Sequence, residues 1–323
     1  MDYKWLGSTG VKVSQLCYGT MSFGGDADEA ESGRMYAACR DAGINFFDCA
    51  DAYSHGKAEE ILGKLIARER DQLVITSKCF NPMTEDINDR GANRRHIPRA
   101  VEASLNRLGT DRLDVLFMHR WDPVTPLEET LRALENLVTQ GKVLYFGASN
   151  WSAWQVAKGL GIATKNGWSR LDVIQPMYSL VKRQVEVEIL PLAAEENLGV
   201  MTYSPVGGGL LSGKYGPDKS PSQSRLISNK EYTARYGEDW MLETAGKFTE
   251  LAVTKGVHPV SLAVAWAGAH QHVTCPIIGA RNLEQLQPSL DFDGIEMTPD
   301  LWWEIAGLGR TPAPATDRLE EQR

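Results

Sequence analysis

Short apolar runs rich in β-branched and aromatic residues recur along this chain, ending near Ala50 (INFFDCA), Lys78 (LVITSK), His119 (DVLFMH), Ser149 (VLYFGAS), Tyr178 (VIQPMY) and Pro205 (VMTYSP). The intervals are about 27 to 41 residues, and each run is followed by a helix-like stretch. Strand, loop and helix units of that length build a parallel sheet. A first strand ending near Thr20 (QLCYGT) and a last near Gly279 (TCPIIG) bring the count to eight, the number that closes into a (β/α)8 TIM barrel.

Length and composition allow this: 323 residues, 42% hydrophobic, are enough for a barrel core in one domain spanning 1–323. Ahead of the first barrel strand, Tyr3 to Leu6 and Val11 to Val13 flank Gly7-Ser8-Thr9-Gly10, which predicts a hairpin over residues 1–14 capping the barrel floor. Thr125-Pro126-Leu127-Glu128 reads as an N-cap, a proline at the first helical position and a capping-box glutamate, with Gly141 ending that helix. Ser152-Ala153-Trp154-Gln155 repeats the capping pattern. Two stretches are too long for ordinary connections, residues 80–95 and 214–240; on a barrel both lie over the active face, the second as a cofactor or substrate cover. Residues 311–323 read as a polar tail.

A formal charge of -8 disfavours nucleic acid. No run of about 20 apolar residues predicts a membrane span, and the amino terminus lacks the apolar core of a signal peptide. The expectation is a cytoplasmic protein, a monomer or weak homo-oligomer. Five cysteines without metal-ligand spacing are expected as reduced thiols.

Asp48, Tyr53, Lys78 and His119 all fall at or just past strand ends. Reducing a carbonyl places hydride on carbon while negative charge grows on oxygen, so a proton donor or strong hydrogen bonds must meet that oxygen. Tyr53 is the expected donor, with Lys78 making its proton easier to give, Asp48 holding Lys78, and His119 orienting the carbonyl. Any one of these residues alone reads as packing or an ordinary ion pair; four in this arrangement point to a reductase. His96, His258, His270 and His272 read as surface residues. Side chains cannot deliver hydride, so a cofactor is required. A strand-linked GxGxxG is absent, and the barrel itself must bind any nucleotide.

The chain resembles the aldo-keto reductase superfamily through LGSTGVKVSQLCYGT, GINFFDCADAYSHGKAEEILG, SLNRLGTDRLDVLFMHRWDP, GKVLYFGASN, IQPMYSL, YSPVGGGLLSGKY and PIIGARNLEQL, in order along nearly its whole length. Within that pattern Asp48, Tyr53, Lys78 and His119 match the family's catalytic tetrad. The resemblance implies NADPH in preference to NADH, and a small-molecule carbonyl substrate. It places Ser149, Asn150 and Gln175 on the nicotinamide carboxamide and Tyr178 on the nicotinamide ring. Thr20 and Met21 would lie by the nicotinamide ribose. Tyr203, Ser204 and the backbone from Gly207 would approach the pyrophosphate, with Lys214 closing over it. Arg281 and Gln285 would contact the adenosine 2′-phosphate, within a cofactor-binding segment that begins at Gly279 and opens a helix with free backbone N–H groups. Ser289 stands where relatives usually carry Asn at the adenine contact.

The resemblance extends to channel-associated β subunits, which keep the barrel and nucleotide but act chiefly as regulators; turnover separates the two. A barrel glycoside hydrolase needs two carboxylates across a sugar, and Asp48 with Asp51 makes a poor pair. Trp121, the loop from Met21, the Phe80 loop and the segment from Tyr232 to Trp240 are the expected pocket walls. They favour apolar or ring-bearing carbonyls without naming one.

Overall fold

The computed structural model describes residues 1–217, 226 and 229–321. Strands β1 (Tyr3–Trp5) and β2 (Lys12–Ser14) form the expected antiparallel hairpin. Eight parallel strands then close a barrel: β3 (Cys17–Gly19), β4 (Phe46–Asp48), β5 (Val74–Cys79), β6 (Leu113–Met118), β7 (Val143–Ser149), β8 (Leu171–Gln175), β9 (Gly199–Tyr203) and β10 (Cys275–Ile278), with β10 paired to both β3 and β9. Among the described residues, the helices are α1 (Glu29–Asp41), α2 (Lys57–Ile66), α3 (His96–Leu108), α4 (Leu127–Thr139), α5 (Ala153–Asn166), α6 (Ile189–Glu195), α7 (Lys230–Tyr236), α8 (Asp239–Thr254), α9 (Pro259–Gly268), α10 (Leu283–Leu290) and α11 (Pro299–Ala306).

Strand alternation sorts the core into two shells. Phe46, Val74, Val115, Phe117, Val173, Met201 and Ile277 fill the barrel interior. Their neighbours Phe47, Ile75, Leu116, Met118 and Val200 point outward into the larger layer shared with the helices. Leu6 and Val13 of the hairpin join the inner cluster, so the hairpin is a plug. Each such side chain contributes about 1.5–3 kcal/mol on full burial. Gly199 permits the plug, since a Cβ there would stand 2.7 Å from Leu6 Cδ1.

Three local expectations need correction. Pro126, with extended ψ of 130°, is itself the N-cap of α4, and Thr125 does not cap it. The Thr125 hydroxyl is instead donated to Asp122 Oδ2 at 2.8 Å, within a turn where Asp122 also accepts from Ala92 and Val124 N–H. His96 is not a surface residue: at the start of α3 it is 1% exposed, with Nδ1 3.2 Å from Asp89 Oδ1, and burial lowers its pKa. The segment expected as a loop over 214–240 contains α7 and the start of α8; residues 218–225 and 227–228 of it lie outside the described residues. By contrast, 80–95 has no helix or strand after Cys79, and Gln155 Oε1 accepts from Ser152 N–H at 2.8 Å as expected of the capping box. All five cysteines are buried and unpaired. No helix among the described residues is long and apolar enough to cross a membrane.

Candidate active site

The alternation that fills the barrel with apolar groups also aims Asp48 of β4 and Lys78 of β5 inward at the carboxyl ends of the strands. Each lies two residues, or four, beyond an inward Phe46 or Val74. Both are sealed from solvent, Asp48 at 2% and Lys78 at 1% exposure. Lys78 Nζ donates to Asp48 Oδ2 at 2.5 Å, to Cys49 O at 2.8 Å and to the Tyr53 hydroxyl at 3.1 Å, which uses all three ammonium protons. Asp48 Oδ1 accepts from Thr76 Oγ1 at 2.7 Å and from Gln175 Nε2 at 2.8 Å. Burial works against the Lys78 charge, but the Asp48 carboxylate and the Tyr53 oxygen outweigh it, and its pKa rises above the ordinary value.

Tyr53 opens a short 3-10 turn, Tyr53–Gly56, in which Ser54 and His55 hold left-handed φ angles of 48° and 52°. Such conformations cost non-glycine residues about 1–3 kcal/mol each and persist only where surroundings impose them. The turn is fastened from behind. Glu59, fully buried, accepts from Ser77 Oγ at 2.5 Å and Arg107 Nε at 2.7 Å, and Arg107 packs so close to Gly56 that a Cβ there would meet its Cδ at 2.7 Å. Burial raises the Tyr53 pKa to about 12, although Lys78 pulls the other way. Lys78 acts in the expected direction but offsets only part of the burial effect, and Tyr53 keeps its proton at neutral pH.

His119 follows β6, its N–H bonded to Cys79 O at 3.1 Å and its ring perpendicular to Tyr53 with centroids 6.1 Å apart. Burial, then Lys78 and Arg120, push its pKa down to about 3, so the imidazole is neutral. Asn81 Nδ2 lies 3.3 Å from Nδ1. With Asn81 donating, Nδ1 is the acceptor and Nε2 carries the proton. Asn81, Glu59, Ser77 and Arg107 were missed by sequence reading; only the strand-end position of Ser77 and the shortness of the Lys78–Asn81 interval hinted at two of them.

The residues assigned to a nucleotide fare unevenly. Ser149 ends β7 beside Gln175 and Asn150 follows it: Ser149 Oγ donates to Gln175 O at 3.0 Å, and Asn150 Nδ2 donates to His119 O at 2.9 Å. Asn150 and Ser204 both hold φ of 60°, and Gly207 and Gly209 also lie at positive φ. A Cβ on Gly209 would meet nothing within 4 Å, leaving room for close approach of a ligand to that backbone. Met21 is 45% exposed, but Thr20 is fully buried, its hydroxyl and its N–H both donated to Asp48 O at 3.1 Å and 2.9 Å. Lys214, Gly279, Arg281 and Gln285 are exposed.

Two of those assignments do not fit. Tyr178 has no exposed surface: its ring stacks on Trp266 with centroids 5.2 Å apart and its hydroxyl bonds Glu186 Oε1 at 2.7 Å, which leaves no face for another ring. The tyrosine presented at the site is Tyr203, half-buried, with its hydroxyl 2.7 Å from Asn150 Oδ1. Ser289 is buried within α10 at 4% exposure and so has almost no surface to offer a ligand. The start of α10 is also less open than expected, because Leu283 N–H bonds Glu31 Oε1 at 2.7 Å and Gln285 N–H bonds Asn282 Oδ1 at 2.9 Å.

Beside Asn150 and Tyr203 opens a cleft of about 570 Å³ whose walls include Trp151, Lys182, Trp240 and Arg310. Trp240 matches expectation, whereas Arg310, lying over the Trp240 ring at 4.8 Å, was unforeseen. Trp121 does not line this cleft but packs edge-on against Trp151, which does, at 5.0 Å. Asp51 is fully buried, and burial with Glu59 raises its pKa to about 7; it does not stand across an opening from Asp48 as a sugar-cleaving pair requires.

Comparison with known proteins gives the family. The chain is 38% identical over 304 residues to a probable voltage-gated potassium channel subunit beta of Arabidopsis thaliana, covering 90% of each chain. It is 38% identical over 321 residues to the uncharacterized oxidoreductase YrpG of Bacillus subtilis, covering 94% and 96%. It is 32% identical over 332 residues to versiconal hemiacetal acetate reductase of Aspergillus parasiticus, covering 93% and 94%. The sequence model of the aldo/keto reductase family matches residues 15–308, and the chain belongs to that family.

Proposed function

We propose that the protein reduces aldehydes or ketones to alcohols with NADPH, Tyr53 acting as general acid. The observation that carries this reading is the 3.1 Å contact from Lys78 Nζ to the Tyr53 hydroxyl, with the same ammonium locked on Asp48. A bound nicotinamide supplies the hydride. The chain's own residues do the rest. Tyr53 donates its proton to the carbonyl oxygen, and the phenolate that begins to form lies against a cation held rigidly in a dry site, where such stabilisation is strongest. Neutral His119, donating through Nε2, fixes the carbonyl oxygen without competing as an acid. Asp48 keeps Lys78 charged and in place.

Gln175, Ser149 and Asn150 are suited to a carboxamide, and Asn150 would exchange its bond from Tyr203 for the ligand. Tyr203, not Tyr178, is the ring suited to stacking on nicotinamide. The positive-φ glycines from Gly207 would let a pyrophosphate approach, with Lys214 above it; Arg281 and Gln285 would meet the 2′-phosphate, which favours NADPH over NADH. The cleft walled by Trp151 and Trp240 suits ring-bearing carbonyls, in keeping with relatives named as reductases of versiconal hemiacetal acetate and norsolorinic acid.

The identity to probable channel β subunits favours a second reading, a nucleotide-bound regulatory subunit with little turnover. The test is NADPH and NADH consumption across aldehydes, ketones and quinones. Steady multiple-turnover oxidation of NADPH supports the reductase, and tight nucleotide binding with less than one turnover per site moves the reading to the regulator.

A further inference from the structure

The turn after β10 carries two features attractive to an anion, the Arg281 guanidinium and the start of α10, and each already faces a carboxylate of the chain. Arg281 Nε lies 3.3 Å from Asp26 Oδ2, both side chains being nearly half exposed. Glu31 Oε1 accepts from Leu283 N–H, and that bond, with Arg34, holds the Glu31 carboxyl below its usual range. Asp26 sits in the connection from β3 to α1 and Glu31 in the first turn of α1. Because β3 and β10 are adjacent and paired, the contact ties two neighbouring connections at one edge of the barrel mouth.

We propose that Asp26 is a specificity-determining residue that competes with the 2′-phosphate of NADPH for Arg281 and so limits the preference for NADPH over NADH. This rests on Arg281 as the 2′-phosphate contact. A neutral 2′-hydroxyl does not displace a carboxylate from a guanidinium, so NADH binds with the pair intact. A 2′-phosphate carries a charge of about -2 and engages the guanidinium through two oxygens. Asp26 must then release Arg281 and is left beside a like charge. Both effects fall on NADPH alone, so removing the Asp26 charge sharpens the discrimination. Glu31 acts differently: its bond is to backbone, and it leaves the guanidinium as the principal positive group at this turn.

The experiment is equilibrium titration of the full chain with NADPH and with NADH, for wild type, Asp26→Asn, Arg281→Ala and the double variant, at low salt and at high salt. Asp26→Asn is expected to tighten NADPH roughly threefold, the scale of one exposed ion pair, and to leave NADH unchanged. The gain disappears at high salt and in the Arg281→Ala background. If Asp26→Asn binds NADPH unchanged, or more weakly, while Arg281→Ala still loses NADPH selectively, Asp26 is not a competitor and the proposal is overturned. If Arg281→Ala weakens both nucleotides equally, the Arg281 assignment itself is wrong and the proposal falls with it.

Discussion

Replacing Asp48 with Asn keeps the shape of the side chain but removes the carboxylate bonded to Lys78, an ammonium that is 1% exposed. Breaking a buried pair by removing one partner costs about 3–5 kcal/mol, because the remaining charge stays desolvated. In the wild type the folded pKa of Lys78 lies above its unfolded value, so the pair's stabilisation is fully present below about pH 10.4 and is lost only above it. In the variant, burial is the dominant influence left and the folded pKa drops below the unfolded one. The folded state then sheds a proton that the unfolded chain keeps, and stability rises with pH by up to about 1.4 kcal/mol per unit. Urea unfolding of both proteins at pH 6.5, 7.5, 8.5 and 9.5 reads this directly, other titrations cancelling in the difference. The expected gap is large at pH 6.5 and narrows steadily toward pH 9.5. A gap under about 1 kcal/mol, or one independent of pH, would refute the reasoning that Lys78 is charged and held by Asp48.

His119 is neutral when folded, with a pKa near 3 against an ordinary 6.5, so its contribution to stability is present above pH 6.5 and lost as pH falls toward 3. His119→Gln should flatten the acid side of the stability profile in that window, checked by urea midpoints from pH 7 to pH 4; an unchanged slope counts against a buried neutral imidazole. Gly63→Ala should destabilise even though alanine favours helix by about 1 kcal/mol, since the new Cβ would stand 2.6 Å from Leu108 O where α2 packs on α3. A loss of about 1–3 kcal/mol is expected in thermal melts, and a gain would show that the two helices can part without cost.

The inward positions of Asp48 and Lys78 were legible because strand alternation carries them: once LVITSK is a strand with Val74 inside, Lys78 must be inside too. The barrel was legible for a similar reason, each unit repeating its own apolar run. Tyr178 and Tyr203 were not distinguishable that way. Both lie near strand ends, and only the pairing of Met177 with Tyr203 and the stack of Tyr178 on Trp266 decide which ring faces the site. His96 was misread because its burial depends on Asp89, seven residues back in a loop with no pattern. The Glu59 and Arg107 brace behind Tyr53 joins residues 48 apart, a distance that local sequence signals do not span. Asp26 and Arg281 meet only because β10 closes onto β3.

The central claim is that Tyr53 gives up the proton, and the most direct measurement is turnover and NADPH affinity of Tyr53→Phe beside the wild type on whichever carbonyl the wild type reduces. Losing a positioned general acid should lower kcat by about 10²–10⁴-fold while NADPH binds as before. Full turnover in the variant would contradict the account outright.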